Sequence, residues 1–507
     1  MLLHPTRGGT AVYLSSSTYF RYVEDFFIFQ DEVKGMMTKE EFMKQKEQGR
    51  TFLVIAEEEG DSITPISLYR RMKGKKKFLL ESSQLHQDKG RYSYLGCNPY
   101  GEVTSVGTEV ERMIYGQTEK LKGNVLQVLE EIIAPSQVDS PFPFCGGAVG
   151  YIGYDVIRQY ENIGADLHDP LNIPEVHLLL YREFIVYDHL RQKLSFVYVC
   201  REDDSADYEE VYERLRVYKE EVLQGEETEV NAIQSTLSFT SSITEKEFCE
   251  MVEMAKEHIR AGDIFQVVLS QRLQSECIGD PFALYRKLRI ANPSPYMFYI
   301  DFQDYVVLGS SPESLLSVRE DKVMTNPIAG TRPRGKTKRE DEEIAKELLE
   351  DEKERAEHMM LVDLGRNDIG RVSEIGSVTI DKYMKVEKYS HVMHIVSEVY
   401  GTLRKRMSGF DALAYCLPAG TVSGAPKIRA MEIINELENE KRNVYAGAVG
   451  YVSFSGNLDM ALAIRTMVVK DEKAYVQAGA GIVYDSDPVA EYEETLNKAR
   501  ALLEVMK

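Results

Sequence analysis

Cysteine is thinly spread in this chain. Cys97, Cys145, Cys200, Cys249, Cys277 and Cys416 stand far apart among 507 residues, and none forms a C-x-x-C pair. That excludes a zinc ribbon and a disulfide scaffold, and it fits a reducing, cytoplasmic setting. Positive charge is short as well: 61 lysines and arginines face 82 acidic residues, a formal net charge of -21. Nucleic acid and anionic membranes need basic surface, so neither is an expected partner. The one basic run, "RRMKGKKKF" (Arg70–Phe78), reads as a solvated loop. No apolar run is long enough to span a bilayer, and the N-terminus lacks the basic-then-apolar order of a signal peptide. A nucleophile elbow, a Ser-His-Asp or Cys-His arrangement, a P-loop and a helix-opening G-x-G-x-x-G are also missing. Tryptophan is absent altogether, against 30 tyrosines.

What is present reads as a soluble enzyme. Hydrophobic content of 43% and charged content of 28% are ordinary for one. The length exceeds what one core usually serves, so two cores or one large composite core are expected. Residues 1–36 have aromatics but no clean period, and read as an N-terminal extension. Met36-Met37 followed by "TKEEFMKQKEQG" looks like a fresh start, with Thr38 capping a helix and Glu41 three residues on. Translation is therefore expected to begin at Met36 or Met37. Strands are expected at "TFLVIAEEE", "FLLESS" and "LSFVYVC", and a helix over Ser205–Gly225 ending at glycine. The polar stretch Glu226–Ser242 marks a sequence division, giving an N-terminal half over 37–235 and a second half over 240–507. The second half opens with a capping box, Thr244 and Glu247, and a glycine stop at Gly262. "DIFQVVLSQRL" follows as a strand, then a long helix from about Arg339 to Leu364. Further strands are "YAGAVGYVSFSG", "MALAIRTMVVK" and "AYVQAGAGIVY", before a last helix from Pro488. "GAVGY" occurs twice, at Gly147–Tyr151 and Gly447–Tyr451, which suggests two similar strands, one per half.

Several groups could carry chemistry. Glu354 and Glu357 share a helix face, as do Glu491 and Glu494. Either pair alone is ordinary solvated surface; both together could hold one Mg²⁺, which prefers hard carboxylate oxygens. "GSSPES", "PIAGTRPRG", "PAGTVSGAPK" and "QAGAGIV" are small, turn-prone segments whose backbone N–H groups suit an anionic ligand. Any one is an ordinary turn; four in one half, beside acidic pairs, point to a small anion. His391 and His394 lie in an apolar run and read first as core residues, with general acid chemistry as the second reading.

Taken in order, "AGDIFQVVLSQR", "GSSPE", "PIAGTRPRG", "AEHMMLVDLGRNDIGRV", "GTVSGAPKIRAMEII", "GAVGY" and "AGAGIVYDSDPVAEYEETLNKA" resemble the chorismate-utilising enzyme family, in particular its anthranilate-forming branch. The resemblance runs from about residue 38 to the end. It implies an α+β fold with two large antiparallel β-sheets packed face to face and helices outside.

The resemblance also implies a reaction. Chorismate would be aminated by ammonia at ring C2 as the C4 hydroxyl leaves, and enolpyruvyl loss would then give anthranilate and pyruvate. Mg²⁺ would be held by Glu354, Glu357, Glu491 and Glu494. Glu313 and His394 match the family's candidates for the proton donor. Tyr451 and Arg465 match the grip on the pyruvyl carboxylate, with Gly330, Thr331, Thr421, Gly479, Gly481 and Lys498 completing the cradle. Where the aminodeoxychorismate-forming branch carries a nucleophilic lysine, this chain has Ala329. Where the isochorismate- and salicylate-forming branches carry a base, it has Gln266. Both absences point to direct amination at C2. Aminodeoxychorismate or aminodeoxyisochorismate formation is the alternative chemistry, and a non-catalytic tryptophan- or chorismate-sensing module the alternative class. With no glutamine-hydrolysing nucleophile, a glutamine amidotransferase subunit is the expected partner. Leu80, Glu81 and Ser82 with Pro295, Tyr296 and Met297 match the family's feedback pocket for L-tryptophan. The missing tryptophans suit a chain needed when that amino acid is scarce.

Overall fold

Two stretches of strand each leave one β-sheet and continue into another. Tyr305–Ser311 lies in the first sheet, and Ser314–Arg319, just beyond Pro312 and Glu313, lies in the second. Leu458–Leu462 lies in the second sheet and Thr466–Lys470 in the first. The expected single strand over "MALAIRTMVVK" is thus two. The break falls at Arg465, whose φ of 48° is left-handed and cannot continue a pleated strand.

These are features of a computed structural model that describes residues 36–82, 90–202, 204–233, 239–389 and 392–505. Residues 1–35 of the expected N-terminal extension, His391 and the centre of the polar division near 235 lie outside the described residues. Among the described residues each sheet has twelve strands, and neighbouring strands run antiparallel. Both sheets take strands from before and after residue 235. Phe78–Glu81 pairs with Tyr296–Asp301, and Gly147–Ile152 pairs with Ala448–Ser453. The second pairing accounts for the repeated "GAVGY": the two copies are partners at the centre of one sheet, with Gly150 opposite Gly450. A Cβ at either glycine would stand 2.0–2.1 Å from a carbonyl oxygen of the next strand, so only glycine fits.

The period-2 alternation sorts side chains between layers. Phe78, Tyr94, Phe298 and Val307 of the first sheet pack with Val103, Val149, Leu178 and Met460 of the second in a core between the sheets. Their sequence neighbours Leu79, Leu95, Tyr299 and Leu308 face the other way and pack under helices. Those helices include Lys39–Glu47 and Tyr208–Gln224. The expected architecture, two antiparallel sheets face to face with helices outside, is the observed one. Capping boxes at Thr38/Glu41 and Thr244/Glu247 open their helices as expected, and Gly262 closes the second with φ 83°. The expected long helix is two, Lys338–Glu350 and Glu352–Gly370. Asp351 caps the second by accepting from Lys353 and Glu354 N–H, which breaks the first. Among the described residues no helix is long and apolar enough to cross a membrane.

Candidate active site

Glu313 and Arg465 occupy the two crossings between sheets. A crossing residue belongs to neither pleat, so its side chain can turn into the seam. Glu313 is 8% exposed, and Thr421 Oγ1 donates to its Oε1 at 2.9 Å. Burial pushes its carboxyl up to about 8, against the pull of the Thr421 bond and of Arg465 and Lys498. At neutral pH it is a neutral acid. The Arg465 guanidinium has no hydrogen-bond or ion-pair partner among the described residues, and burial lowers its pKa. An unpaired, desolvated guanidinium is a ready receptor for a carboxylate.

His394 stands in the strand Val392–Thr402, opposite Thr331. Its Nδ1 lies 3.0 Å from Gly330 O and 3.1 Å from Thr331 Oγ1. A carbonyl only accepts, so Nδ1 carries the proton and Nε2 the lone pair. Burial, with Arg465 nearby, lowers its pKa to about 4. The ring is therefore neutral at pH 7. Of the two expected proton donors, Glu313 holds the labile proton. Gly330 forms a bulge with φ 64°, and a Cβ there would meet Leu348 at 3.0 Å and Glu354 Oε2 at 3.1 Å. Ala329, on the same strand opposite Ile395, is buried and offers no amine.

Gly479 and Gly481 lie on Lys473–Ile482, opposite Ser270 and Val268. Their missing side chains admit two others. A Cβ at Gly479 would meet Tyr445 Oη at 2.7 Å, and one at Gly481 would meet Gln266 Nε2 at 2.5 Å. Gln266 is buried, and its Oε1 has no partner. The expected tyrosine, Tyr451, is elsewhere: its ring packs 5.9 Å from Tyr94 and lines a different cavity. Tyr445, not Tyr451, stands against the glycine strand. "YAGAVGY" holds both tyrosines, and sequence alone gives no reason to prefer the first.

The four glutamates lie on two helices, Glu352–Gly370 and Pro488–Glu504, that act on one another electrostatically. Burial and the charge of Glu354 and Glu494 raise the Glu357 carboxyl; burial and Glu494 raise that of Glu491. Lys353 and Lys498 pull both down. Arg332 holds Glu354 at 2.9 Å, and Lys498 bridges Glu494 at 2.7 Å and Gly479 O at 3.0 Å. Among the described residues no three acidic, histidine or cysteine side chains close into a coordination sphere. The donor chemistry is that of a hard cation: two half-buried carboxyls, Glu357 and Glu491, raised by partial burial and by the carboxylates beside them.

The family profile described as chorismate binding enzyme matches residues 75–504. The chain belongs to the chorismate-binding enzyme family. Anthranilate synthase component 1 of Acetivibrio thermocellus is 49% identical over 461 residues, 88% of this chain and 93% of that one. The protein of the same name from Lactococcus lactis is 47% identical over 89% of this chain and 99% of its own. The crystal structure of anthranilate synthase component I from Streptococcus pneumoniae superposes with a TM-score of 0.74 at 45% identity, covering 88% and 98%.

In this family member a second cavity, of about 350 Å³, opens between the sheets. Leu80, Glu81, Ser82, Pro295, Tyr296 and Met297 all line it, together with Tyr451. The Glu81 carboxylate is engaged by Tyr285 Oη at 2.7 Å and Arg289 Nε at 2.9 Å. Pro312 and Ser314, on either side of Glu313, share the wall of this cavity, as does Ile328 beside Ala329.

The raised Glu313 carboxyl carries a stability consequence. The folded chain keeps its proton up to about pH 8, whereas the unfolded chain releases it near 4.5. Stability from this group is therefore fully present below 4.5, falls as pH rises to 8, and is level above. Glu313→Gln should match wild type in urea unfolding at low pH. It should gain on wild type by roughly 1 kcal/mol per pH unit in between. A gap that does not change with pH would show an ordinary carboxyl.

Proposed function

We propose that the protein converts chorismate and ammonia to anthranilate and pyruvate, the first step of tryptophan biosynthesis. The observation that carries this reading is a neutral Glu313 within the field of an unpaired Arg465, with no amine at Ala329 or Gln266. Arg465 with the Tyr445 hydroxyl suits the pyruvyl carboxylate of chorismate. Glu313 gives its proton to the C4 hydroxyl, which leaves as water while ammonia adds at C2. The bond to Thr421 keeps that carboxyl aimed as it ionises. The unpaired Oε1 of Gln266 is a neutral acceptor that cannot activate water. With no lysine at position 329, ring C2 stays open to ammonia. Loss of the enolpyruvyl group as pyruvate then aromatises the ring.

Glu354, Glu357, Glu491 and Glu494 would hold Mg²⁺. Bound there, the cation supplies Lewis-acid neutralisation of the ring carboxylate and of charge developing as the ring rearranges. Arg332 and Lys498 hold Glu354 and Glu494 until then. Ammonia comes from a glutamine amidotransferase subunit, since this chain has no thiol set up to hydrolyse glutamine. The 350 Å³ cavity binds tryptophan: Pro295, Met297 and Leu80 suit the indole, and its charged rim suits the amino-acid ends. An occupant presses on Pro312 and Ser314, and so on Glu313 between them.

Purified chain with chorismate, Mg²⁺ and high ammonium should form fluorescent anthranilate. Glu357→Ala should lose this activity while staying folded. Accumulation of aminodeoxychorismate instead would overturn the argument from Ala329. Ser82→Phe should fill part of the second cavity, weakening inhibition by tryptophan about tenfold or more with turnover retained. Unchanged inhibition would place the regulatory site elsewhere.

A further inference from the structure

Behind the site lies a buried ion pair whose hydrogen bonds reach none of the proposed ligand groups. Arg442 is 2% exposed and Glu438 7%. Arg442 Nε donates to Glu438 Oε2 at 2.8 Å, and its Nη2 to Glu438 Oε1 at 2.6 Å. The other donors go to backbone. Nη1 reaches Val422 O and Nη2 reaches Val268 O, each at 2.7 Å. Glu438 Oε1 in turn accepts from Ser270 N at 2.8 Å and Ser270 Oγ at 2.9 Å. The guanidinium also lies over the rings of Tyr154 and Tyr445, 4.9 and 5.6 Å from their centroids.

Each backbone segment held in this way carries a site residue one or two positions off. Val422 follows Thr421, whose hydroxyl holds Glu313. Val268 is two residues from Gln266 on the same strand, and Ser270 lies opposite Gly479. Tyr445 stands over Gly479. A buried ion pair contributes little more to stability than a well-packed apolar pair of the same volume. An apolar pair could not bind carbonyls from two distant segments at once. Only the planar five-donor fork of arginine does so.

We propose that Arg442 is a positioning residue for the reaction: with Glu438 it fixes the Gly420–Val422 turn against the strand that begins at Gln266. Thr421 is thereby kept on Glu313, and the tyrosine face is kept over Gly479. This rests on the functional reading above. The residue acts through its neighbours and never contacts substrate, so its loss should disturb the proton-transfer step more than binding.

The test compares wild type, Arg442→Lys and the apolar double variant Arg442→Met/Glu438→Leu. Read-outs are kcat, KM for chorismate and the pH dependence of kcat at fixed free ammonia. The double variant should remain folded by urea unfolding, yet lose about 100-fold in kcat with a much smaller change in KM. Its alkaline limb should move upward, because the Thr421 bond that lowers the Glu313 pKa is weakened. Thr421→Val should reproduce that movement with Arg442 intact. Arg442→Lys keeps the charge on Glu438 but lacks the fork, and should show the same pattern; it decides the matter if the double variant does not fold. Folded variants with wild-type kcat and an unmoved limb overturn the proposal. If wild type makes anthranilate in the same assay, that result leaves the functional reading standing; an inactive wild type overturns both.

Discussion

Everything at the site depends on two places where the backbone leaves one sheet for the other. At Pro312–Glu313 and at Ala463–Arg465 the alternation of in and out is suspended, and one acid and one base turn into the seam. Removed from water there, the carboxyl keeps its proton and the guanidinium keeps its charge without a partner. A neutral donor and an unpaired cation side by side would be unstable on the surface, where water and counter-ions would level them. Between two twelve-stranded sheets they persist, because the surrounding core holds the crossings rigid.

The same seam explains how two sites can share one wall. At the crossing between the strands, neighbouring side chains turn to different walls. Pro312 and Ser314 face the second cavity while Glu313 between them faces Thr421. The ring of Tyr389, in that cavity wall, sits 5.4 Å from the ring of His394. The second cavity and the buried acid are thus one residue apart. The carboxylate pairs follow a related logic. Arg332 and Lys498 occupy two of the four glutamates, and the other two carry charge that their surroundings leave poorly neutralised.

Much of this was legible in the residues. The capping boxes at Thr38 and Thr244 are local chemistry, and local chemistry survives folding. The motif strings pointed to Glu313, His394, Arg465, the glycine strand and the residues that line the second cavity. Four things were not legible. The apolar pattern of Met460–Lys470 runs through a sheet crossing, broken only at Arg465 and Thr466, since both strands are buried on both faces. The break at Asp351 depends on a side chain choosing to cap and not to continue a helix. The choice between Tyr445 and Tyr451 depends on which residue lies over a glycine from a strand in the other sheet, a contact with no echo in local sequence. Arg442 was invisible for the same reason: its partners are backbone carbonyls, which every residue has.

The account stands on Glu313 being a neutral acid in the resting protein. Infrared difference spectroscopy of wild type against Glu313→Gln measures that directly. The account predicts a protonated-carboxyl band at neutral pH, absent from the variant, that titrates away near pH 8. A band already converted to carboxylate at neutral pH would contradict it.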